Sequence, residues 1–559
     1  MTETRAVGRR DQAWTSRPVT WGLAIAGLFA FRLLYGLCYD FFFEDETQVF
    51  LIGLRAYAGG RWPFFGADVV WTRSQIPGAL QGLAVSVPLM IAPYPEAPFV
   101  LLNVISMAAL ALLAWYICLR LPALPKWLVW GWLMTVPWTL NFSTSMINTS
   151  YLLAGSCVFF VGFFEASPRF SIGRLPGGLA LAMMGLGVGW AMQIHMSWPL
   201  LLPYAGLVLL ERVRANWRTS ARGLASMAGG FAIPALFLVP TLAAYGLNAG
   251  GGGTGRNIHV HVVSPGVLLT TAGRFLSFAS LEVVRFMGTD TAKRAVLVSR
   301  NPWIAAPLAI AWTVGILHPL LMAWLWFKRR HPSRADWPAL RALVVATLLI
   351  VYAAYFFVME PPQAHAFYVL SPIAMMFAAY CWSFVDRARW RKGAAIVLGA
   401  NITFHLGLAL VMGPQRSMYR NRAVVAAAVT EREPSYFAHR REYAMDAINP
   451  MDAESRRIPG EDLAITSNAW SIGPAKAILW TVTVENRSAT RAYRDVLYRA
   501  YYADGDGRPV LGDRHGYILD VLQPGESRTF EINDGAADVP FASGRLEFVL
   551  AEALKPLKR

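Results

Sequence analysis

Long apolar runs recur along the first three quarters of this chain, separated by short polar or charged segments. Most of the runs extend over roughly 18 to 22 residues, the length that a helix needs to cross about 30 Å of hydrocarbon. The pattern predicts a polytopic α-helical membrane protein with about eleven transmembrane helices. These predicted spans lie at 19–40, 97–119, 127–145, 150–167, 175–194, 198–211, 223–246, 302–327, 338–359, 366–385 and 393–413. The run at 198–211 is short for a span, so the count can change by one.

Basic residues collect between alternate pairs of predicted spans. The intervening short loops that lack any Lys or Arg lie at about 141–149, 195–197 and 360–365. Because cytoplasmic loops carry the excess of positive charge, this asymmetry predicts a cytoplasmic N-terminal tail at 1–18 and an extracytoplasmic C-terminal domain. The membrane region, 19–413, then has two large outer loops at about 41–96 and 247–301.

The composition changes after about residue 413, where apolar runs shorten and charges become dense. Residues 414–459 are predicted to form a helical connector. Residues 460–559 alternate apolar and polar positions between turn residues, which predicts an extracytoplasmic immunoglobulin-like β-sandwich. The sequence DGDG at 504–507 begins like a calcium-binding loop, but it lacks the remaining ligand positions and is more typical of a hairpin turn.

The chain has a formal net charge of +16, with 51 Lys and Arg against 35 Asp and Glu. Such a balance can indicate a nucleic-acid partner, but here the cations occur in short bursts between apolar runs, without one stripe of interleaved aromatic residues. We therefore predict no nucleic-acid partner. The four cysteines lie within predicted spans, where a small apolar role is the ordinary interpretation.

An acidic cluster follows the first predicted span directly. Glu44, Asp45 and Glu46 stand where the chain leaves the membrane, and apolar residues then recur at helical spacing until Gly59 and Gly60. This pattern predicts an amphipathic helix at the membrane surface, in a loop that can roof a cavity. Asp45 and Glu46 are therefore candidate catalytic carboxylates. Taken alone, they are also typical of a helix N-cap and first turn.

Other polar residues lie in the remaining predicted outer loops. The candidate substrate-binding residues among them are Gln193, His195, Arg256, His259, His365 and Tyr368. A glycine-rich hinge before Arg256 can close over a phosphate, although it lacks the Lys-Ser/Thr ending of a nucleotide-binding loop. A metal pair that includes His259 is less favoured than solvated histidines, because no third and fourth ligand is visible. The residues at 193–195 and 365–368 are equally compatible with interfacial anchors and with a cavity lining.

Four polar residues that are energetically unfavourable in hydrocarbon lie inside predicted spans: Arg32, Asn103, Asn401 and His405. Asn401 and His405 are one helical turn apart and share a face. A transport pathway and interhelical hydrogen bonding are both compatible with such residues, and we favour hydrogen bonding.

Several short motifs of this sequence, taken in their order along the chain, point to a known family. They are Asp45-Glu46 after the first span, Gly59-Gly60 followed by Trp62-Pro63, PGALQGLAVSVPL at 77–89, QIHMSWPLLLP at 193–203 and AFYVLSPIAMMFAAY at 366–380. Their arrangement resembles the GT-C-type integral membrane glycosyltransferases, near the protein-mannosyltransferase-like and aminoarabinose-transferase-like branch. The resemblance covers most of residues 19–413.

The resemblance implies an inverting glycosyltransferase of a bacterial inner membrane. Such an enzyme moves a sugar from a polyprenyl-phosphate donor to a glycan, lipid or protein acceptor on the extracytoplasmic face. By this resemblance Asp45 is the general base that takes the proton of the acceptor hydroxyl. The candidates for contact with the leaving phosphate are Arg256, His259 and His365.

One departure from the family concerns Asn148, since many relatives have a second acidic residue at this point. Asn148 can still exchange hydrogen bonds with a sugar, but it gives no support to a divalent metal and is compatible with a divergent or inactive member. Two other functions stay open: a transporter or lipid-handling protein, and a non-catalytic envelope assembly protein that recruits partners through the sandwich.

Overall fold

The computed structural model describes residues 18–39, 43–60, 62–69, 74–246, 260, 262–287, 291–332, 334–357, 364–385, 387–412, 456–457, 462–518 and 520–554. Within these ranges a bundle of mostly apolar helices is followed by two small antiparallel sheets. The predicted connector at 414–459 lies outside the described residues except for positions 456–457, and Arg256 and His259 lie outside them as well.

The helices of the bundle are numbered in chain order: α1 Pro18–Cys38, α2 Phe43–Gly59, α3 Leu80–Ile91, α4 Ala97–Arg120, α5 Lys126–Thr135, α6 Pro137–Thr144, α7 Asn148–Ala166, α8 Gly177–Met192, α9 Leu202–Ala215, α10 Trp217–Ala235, α11 Val239–Tyr245, α12 Gly266–Ser277, α13 Thr291–Arg300, α14 Ala305–Trp326, α15 Trp337–Tyr355, α16 Ser371–Trp382 and α17 Arg387–Met412. Short 3₁₀ segments lie at Trp198–Leu201, Val283–Met287, Pro302–Ile304 and Ala364–Leu370. A hairpin of β1 Phe65–Val69 and β2 Ser74–Pro77 separates α2 from α3.

Seven stretches of the described residues are long and apolar enough to cross a membrane: Val19–Cys38, Ala97–Arg120, Asn148–Ala166, Pro302–Trp326, Trp337–Tyr355, Ala364–Trp382 and Trp390–Val411. They coincide with seven of the eleven predicted spans and support a polytopic helical membrane protein. The bent pair Ser220–Ala235 and Val239–Tyr245, with an angle of 69° between its helices, makes an eighth if it is one span.

The other three predicted spans do not form single helices of spanning length. The run at 127–145 is divided into α5 and α6 at Pro137, which has no N–H to continue the helical ladder. The run at 175–194 holds the 16-residue α8, and the run at 198–211 begins with a 3₁₀ segment before α9. The total of eleven spans therefore stays a prediction.

Interhelical hydrogen bonds are formed by three of the four polar residues singled out inside the predicted spans, while the hydrogen bond of His405 stays within its own helix. Arg32 of α1 is fully buried and donates from Nη2 to Ser143 Oγ at 2.6 Å and from Nε to Asn103 Oδ1 at 3.2 Å. Asn401 of α17 donates from Nδ2 to the Thr135 carbonyl at 2.8 Å. Because unsatisfied polar groups are costly in hydrocarbon, these bonds fix α1, α4, α5, α6 and α17 relative to one another.

A buried ionic network closes the end of the bundle at which α4 ends and α15 begins. Asp336 accepts hydrogen bonds from Arg120 at 3.2 Å, from Arg334 Nη2 at 2.7 Å and from the Tyr380 hydroxyl at 2.8 Å. Burial alone raises the pKa of Asp336, but these hydrogen bonds and the two guanidinium charges outweigh burial and lower it. The carboxylate therefore contributes stability above the ordinary carboxyl pKa that is lost as the pH falls through the lowered value.

The opposite end carries the two longest insertions and is called the large-loop end below. The first insertion contains α2, the β1–β2 hairpin and α3, and the Gln81 side chain fixes it by donating to the Ile194 carbonyl at 2.7 Å. The second insertion contains α12 and α13, and the Val263 carbonyl accepts from the Tyr352 hydroxyl near the last turn of α15 at 3.0 Å.

Part of the second insertion enters the bundle, although the sequence predicts a loop outside the membrane there. Residues 278–287, called the re-entrant segment, pass Gly315, which lies about half way along Pro302–Trp326. A Cβ on Gly315 would lie 2.2 Å from the Leu281 carbonyl oxygen, and Trp132 Nε1 donates to the Ala279 carbonyl at 2.9 Å. Turns and a short 3₁₀ segment are tolerated in this position because protein encloses them.

The C-terminal region consists of two antiparallel sheets, in the orders β3-β9-β6-β7 and β4-β5-β8. The strands are β3 Arg456–Arg457, β4 Leu463–Ile472, β5 Ala477–Asn486, β6 Ala492–Ala503, β7 Pro509–Ile518, β8 Ser527–Ala536 and β9 Ser543–Leu554. Alternate residues of β5, including Trp480 and Val482, enter a core shared with β6 and β9. The two sheets therefore form a sandwich; its immunoglobulin-like class stays a prediction.

The hairpin turn predicted at 504–507 is confirmed. Asp504 Oδ1 accepts from the backbone N–H groups of Asp506 and Arg508, both at 2.9 Å, and Gly507 has a φ of 77°. The Asp504 side chain thus stabilises the turn by accepting hydrogen bonds from its backbone.

Asp336→Asn is expected to destabilise the protein because it leaves the fully buried Arg120 side chain without its carboxylate. Breaking a buried pair from one side costs about 3–5 kcal/mol. A clear drop in the midpoint of thermal unfolding in detergent is the expected result. The matched control is Asp506→Asn in the exposed hairpin turn, where a midpoint close to wild type is expected. Equal midpoints for both variants would contradict the role assigned to the network.

Candidate functional site

The acidic cluster begins α2 at the large-loop end. In the first turn of this helix Asp45 is exposed, whereas Glu46 is buried and close enough to Tyr151 of α7 for its charge to act on the phenol. Asn148 precedes Tyr151 by about one helical turn and is half-buried. The two neighbouring carboxylates therefore face different surroundings: Glu46 faces the start of α7 and Asp45 faces solvent.

The turn after α8 holds Gln193 against the first insertion. Gln193 is fully buried, and its Nε2 donates to the Pro234 carbonyl at 2.6 Å. Gly78 approaches the same side chain so closely that a Cβ there would lie 2.3 Å from Gln193 Oε1, and its φ of 110° suits glycine. Among the described residues, Gln193 Oε1 has no hydrogen-bond donor. The Gln193 side chain thus packs against the first insertion at Gly78, and its Oε1 remains without a donor from the described part of the chain.

His195 lies two residues further along this turn. Its Nδ1 accepts from the Ser197 backbone N–H at 3.1 Å and is 2.8 Å from the Ser197 hydroxyl. Burial, together with the nearby His365, lowers the pKa of His195 to about 3. The ring is therefore neutral near pH 7, with its proton on Nε2, and can donate one hydrogen bond.

His365 and Tyr368 belong to the 3₁₀ segment that precedes α16. His365 is near His195, because the charge of His365 acts on the His195 ring. It is also near Arg285, because the Arg285 charge acts on His365. Tyr368 is fully buried and donates to the Trp138 carbonyl at 3.3 Å. The segment thus connects the His195 turn with the re-entrant segment.

A groove of about 610 Å³ lies between α12, the re-entrant segment, α13 and α14. Its charged lining residues are Arg274, Glu282, Arg285 and Arg294, and it is called the arginine groove below. Glu282 pairs with Arg274 and accepts from Trp138 Nε1 at 2.9 Å, while the Arg285 guanidinium lies 5.2 Å from the centre of the Trp138 ring. The groove is thus lined by three cations and one anion.

The other wall of the groove is apolar and belongs to a candidate membrane span. Trp312, Ile316 and Leu320 line the groove and are 54%, 50% and 61% exposed. On a membrane-spanning helix, exposed apolar side chains face hydrocarbon. The arginine groove therefore combines positive charge with a wall open to lipid, which suits an anionic head group attached to an apolar chain.

The structure brings together only some of the predicted site residues. Gln193 and His195 share one turn, His365 is close to His195, and Tyr368 contacts Trp138 beside the arginine groove. Asp45 is not among the residues that line this groove. Within the described part of the chain, no group of three His, Cys, Asp or Glu side chains is arranged to hold a metal ion.

The sequence showed Arg274, Arg285 and Arg294 among the cations of a loop that could close over a phosphate, but they were not selected as site residues. Glu282 was missed, and the loop was predicted to lie outside the membrane. A usable signal was the apolar composition of 266–287 around its few charged residues, which is unusual for a solvated loop.

Comparisons with known proteins do not identify a family for this chain. No protein-family model matches the chain, and no curated protein matches it in sequence. Among solved structures, the arabinosyltransferase EmbB from Mycobacterium smegmatis is 11% identical with a TM-score of 0.37, over 98% of this chain and 65% of that chain. The alkylpurine DNA glycosylase AlkC from Pseudomonas fluorescens is 11% identical with a TM-score of 0.13, over 81% of this chain and 98% of that chain.

This chain spans about 65% of the length of the arabinosyltransferase. Because both TM-scores lie below 0.5, neither likeness supports an inference about the activity of this chain.

His195→Asn is expected to reduce the loss of stability on acidification. The folded-state pKa of about 3 lies below the ordinary histidine value, so the unfolded chain binds the additional proton first and stability falls as the pH drops below about 6.5. Asparagine keeps an acceptor for the Ser197 N–H but does not titrate. We expect a smaller fall in the thermal midpoint between pH 7 and pH 4.5 than in wild type. The exposed His515→Asn is the control, and an identical fall in both variants would contradict a buried neutral His195.

Proposed function

We propose that the chain is an inverting membrane glycosyltransferase that takes a sugar from a polyprenyl-phosphate donor and transfers it to an acceptor hydroxyl, with Asp45 as the general base. The observation that carries the proposal is the arginine groove, in which three guanidinium groups meet a lipid-facing apolar wall. An isoprenoid phosphate sugar has the matching chemistry, since an anionic phosphate joins its apolar chain to its polar sugar.

Several features at the large-loop end support donor binding there. The guanidinium groups that line the arginine groove suit a phosphodiester, and Arg285 is close enough to His365 for its charge to act on that ring. The neutral His195 ring offers an Nε2–H donor, which is suited to a hydrogen bond with a sugar hydroxyl. The buried Gln193 side chain holds this turn against Gly78 of the first insertion.

The reaction would proceed as a single displacement. The acceptor oxygen forms a bond to the anomeric carbon while the bond from that carbon to the phosphate oxygen breaks, and the configuration inverts. The electron pair leaves with the lipid phosphate, which Arg285 and Arg294 stabilise electrostatically. Asp45 takes the proton of the acceptor hydroxyl, and its exposure leaves it accessible to an acceptor that arrives from solvent.

The side-chain contacts of the first insertion favour a defined position for Asp45. α2 packs along α3, where a Cβ on Gly53 would lie 2.2 Å from Val85 Cβ, and the buried Glu46 fixes the first turn beside α7. Glu46 acts in this proposal as a positioning residue for Asp45. The acceptor in this proposal is a glycan, a lipid or a protein.

A second function has an observation in its favour. Asp45 is absent from the lining of the arginine groove, so a protein that binds or moves a lipid phosphate without any chemistry would also use this groove. Transfer and binding measurements on the same variants separate the two functions.

Asp45→Asn is expected to lower transfer of labelled sugar from polyprenyl-phosphate donors by about 10²–10⁴-fold, while donor binding is retained. The measurement uses membranes that contain the full chain and a panel of donors. Asp68→Asn in the β1–β2 hairpin is the control and should transfer at the wild-type rate. Arg285→Gln, in contrast, should weaken donor binding by about 10–100-fold, because it removes a charge-assisted contact.

Full transfer by Asp45→Asn would refute the assigned base. Donor binding without turnover in wild type, lost in Arg285→Gln, would instead favour the lipid-handling function.

A further inference from the structure

The short helix α13 joins the arginine groove to the C-terminal sandwich. It has ten residues, from Thr291 to Arg300, and Pro302–Trp326 begins almost immediately after it. Isolated helices of this length are marginal in water, so α13 depends on what it packs against. Its two sides contact different parts of the protein.

One side of α13 faces the sandwich. Ala292 and Val296, one helical turn apart, are buried and pack with Ala477 of β5. Arg300, a further turn along, forms an ion pair with Glu531 of β8. These contacts follow the i, i+4 spacing that places side chains on a single helix face.

The other side of α13 faces the bundle. Leu297 and Val298 pack against the cluster that contains Leu281 and Val283 of the re-entrant segment. Arg294, three and four residues earlier, lines the arginine groove. At 100° per residue, this face lies roughly 150° from the one that contacts the sandwich.

We infer that the sandwich holds Arg294 in the arginine groove through α13, so that docking of the sandwich sets the affinity of the groove for a lipid phosphate. A helix clamped between two surfaces cannot rotate or shift without breaking contacts on one of them. If the sandwich face of α13 is disrupted, the helix loses one of the two surfaces that hold it, and the position of Arg294 in the groove changes. Arg294 is then the phosphate contact, and Ala292 and Val296 are positioning residues.

The inference rests on the groove of the proposed function but not on sugar transfer. It assigns the sandwich a role in completing the lipid-phosphate site, distinct from presenting an acceptor or recruiting a partner. The same docking contacts also link occupancy of the groove to the position of the sandwich, because such coupling is reciprocal.

A double-mutant cycle on the full chain in detergent tests the inference, with farnesyl phosphate as the probe. Arg294→Gln should weaken binding by about tenfold or more, because it removes a charge-assisted contact. Ala292→Glu, which places a charge in the buried contact with Ala477, should cause a similar loss. The double variant should bind no more weakly than Arg294→Gln alone, since both changes act through one side chain. The exposed Thr291→Glu is the charge-matched control and should bind like wild type.

Additive losses in the double variant, wild-type affinity in Ala292→Glu, or no effect of Arg294→Gln would each overturn the inference. Inorganic phosphate and farnesol serve as separate probes: much weaker binding of both than of farnesyl phosphate supports a lipid-phosphate site, and equal binding of inorganic phosphate overturns it. If the double-mutant cycle is non-additive but the protein transfers no sugar, this inference is supported and the proposed transferase activity is refuted.

A milder pair of variants covers the case in which Ala292→Glu does not fold. Arg300→Glu changes an exposed residue and should weaken farnesyl phosphate binding by about two- to fivefold, in line with the small contribution of surface ion pairs. The charge swap Arg300→Glu with Glu531→Arg should restore binding. No loss in the single variant, or no recovery in the swap, would then decide against the inference.

Discussion

Charged and polar groups at membrane depth determine how this bundle is built, because hydrocarbon offers them no partner. Arg32 is enclosed by side chains and carbonyls of three other helices, and Arg120 is closed in by Asp336 and the Phe170 carbonyl. Each of these contacts specifies helix positions as well as satisfying a charge. The apolar packing between them fills space but is less selective about register.

The arginine groove gathers several charged side chains against a candidate membrane span. Glu282 pairs with Arg274 and accepts from Trp138 Nε1, and the Arg285 guanidinium lies over the Trp138 ring. The opposite wall consists of exposed apolar side chains of α14. In the proposed function, an anionic lipid that enters from the membrane would bring its head group to the cations and its apolar chain to this wall.

The sequence predicted the features that depend on local pattern. Seven spans follow from apolar length, the end of α2 from Gly59, and the 504–507 turn from its Asp and Gly residues. It did not predict the division at Pro137 or the entry of residues 278–287 into the bundle. Both depend on long-range packing, such as the fit of the Leu281 carbonyl against Gly315, and no nearby residue encodes it. For the same reason, Gln193 and His195 could be selected from their loop, while their relation to His365 required the fold.

In the proposed reaction, the general base Asp45 and the site of the donor phosphate belong to different insertions. The donor phosphate would occupy a groove formed by the second insertion, whereas the base belongs to the first insertion. The two insertions are linked indirectly. Gly78 and Gln81 of the first insertion contact the turn at Gln193 and His195, whereas Arg285 of the second is near His365, which in turn is near His195. In the proposed reaction, a sugar bound at this turn would have its phosphate towards Arg285 and its acceptor side towards α2. Inversion requires the attacking and leaving oxygens to lie on opposite sides of the anomeric carbon, so the proposed reaction depends on the turn holding the sugar between the two insertions.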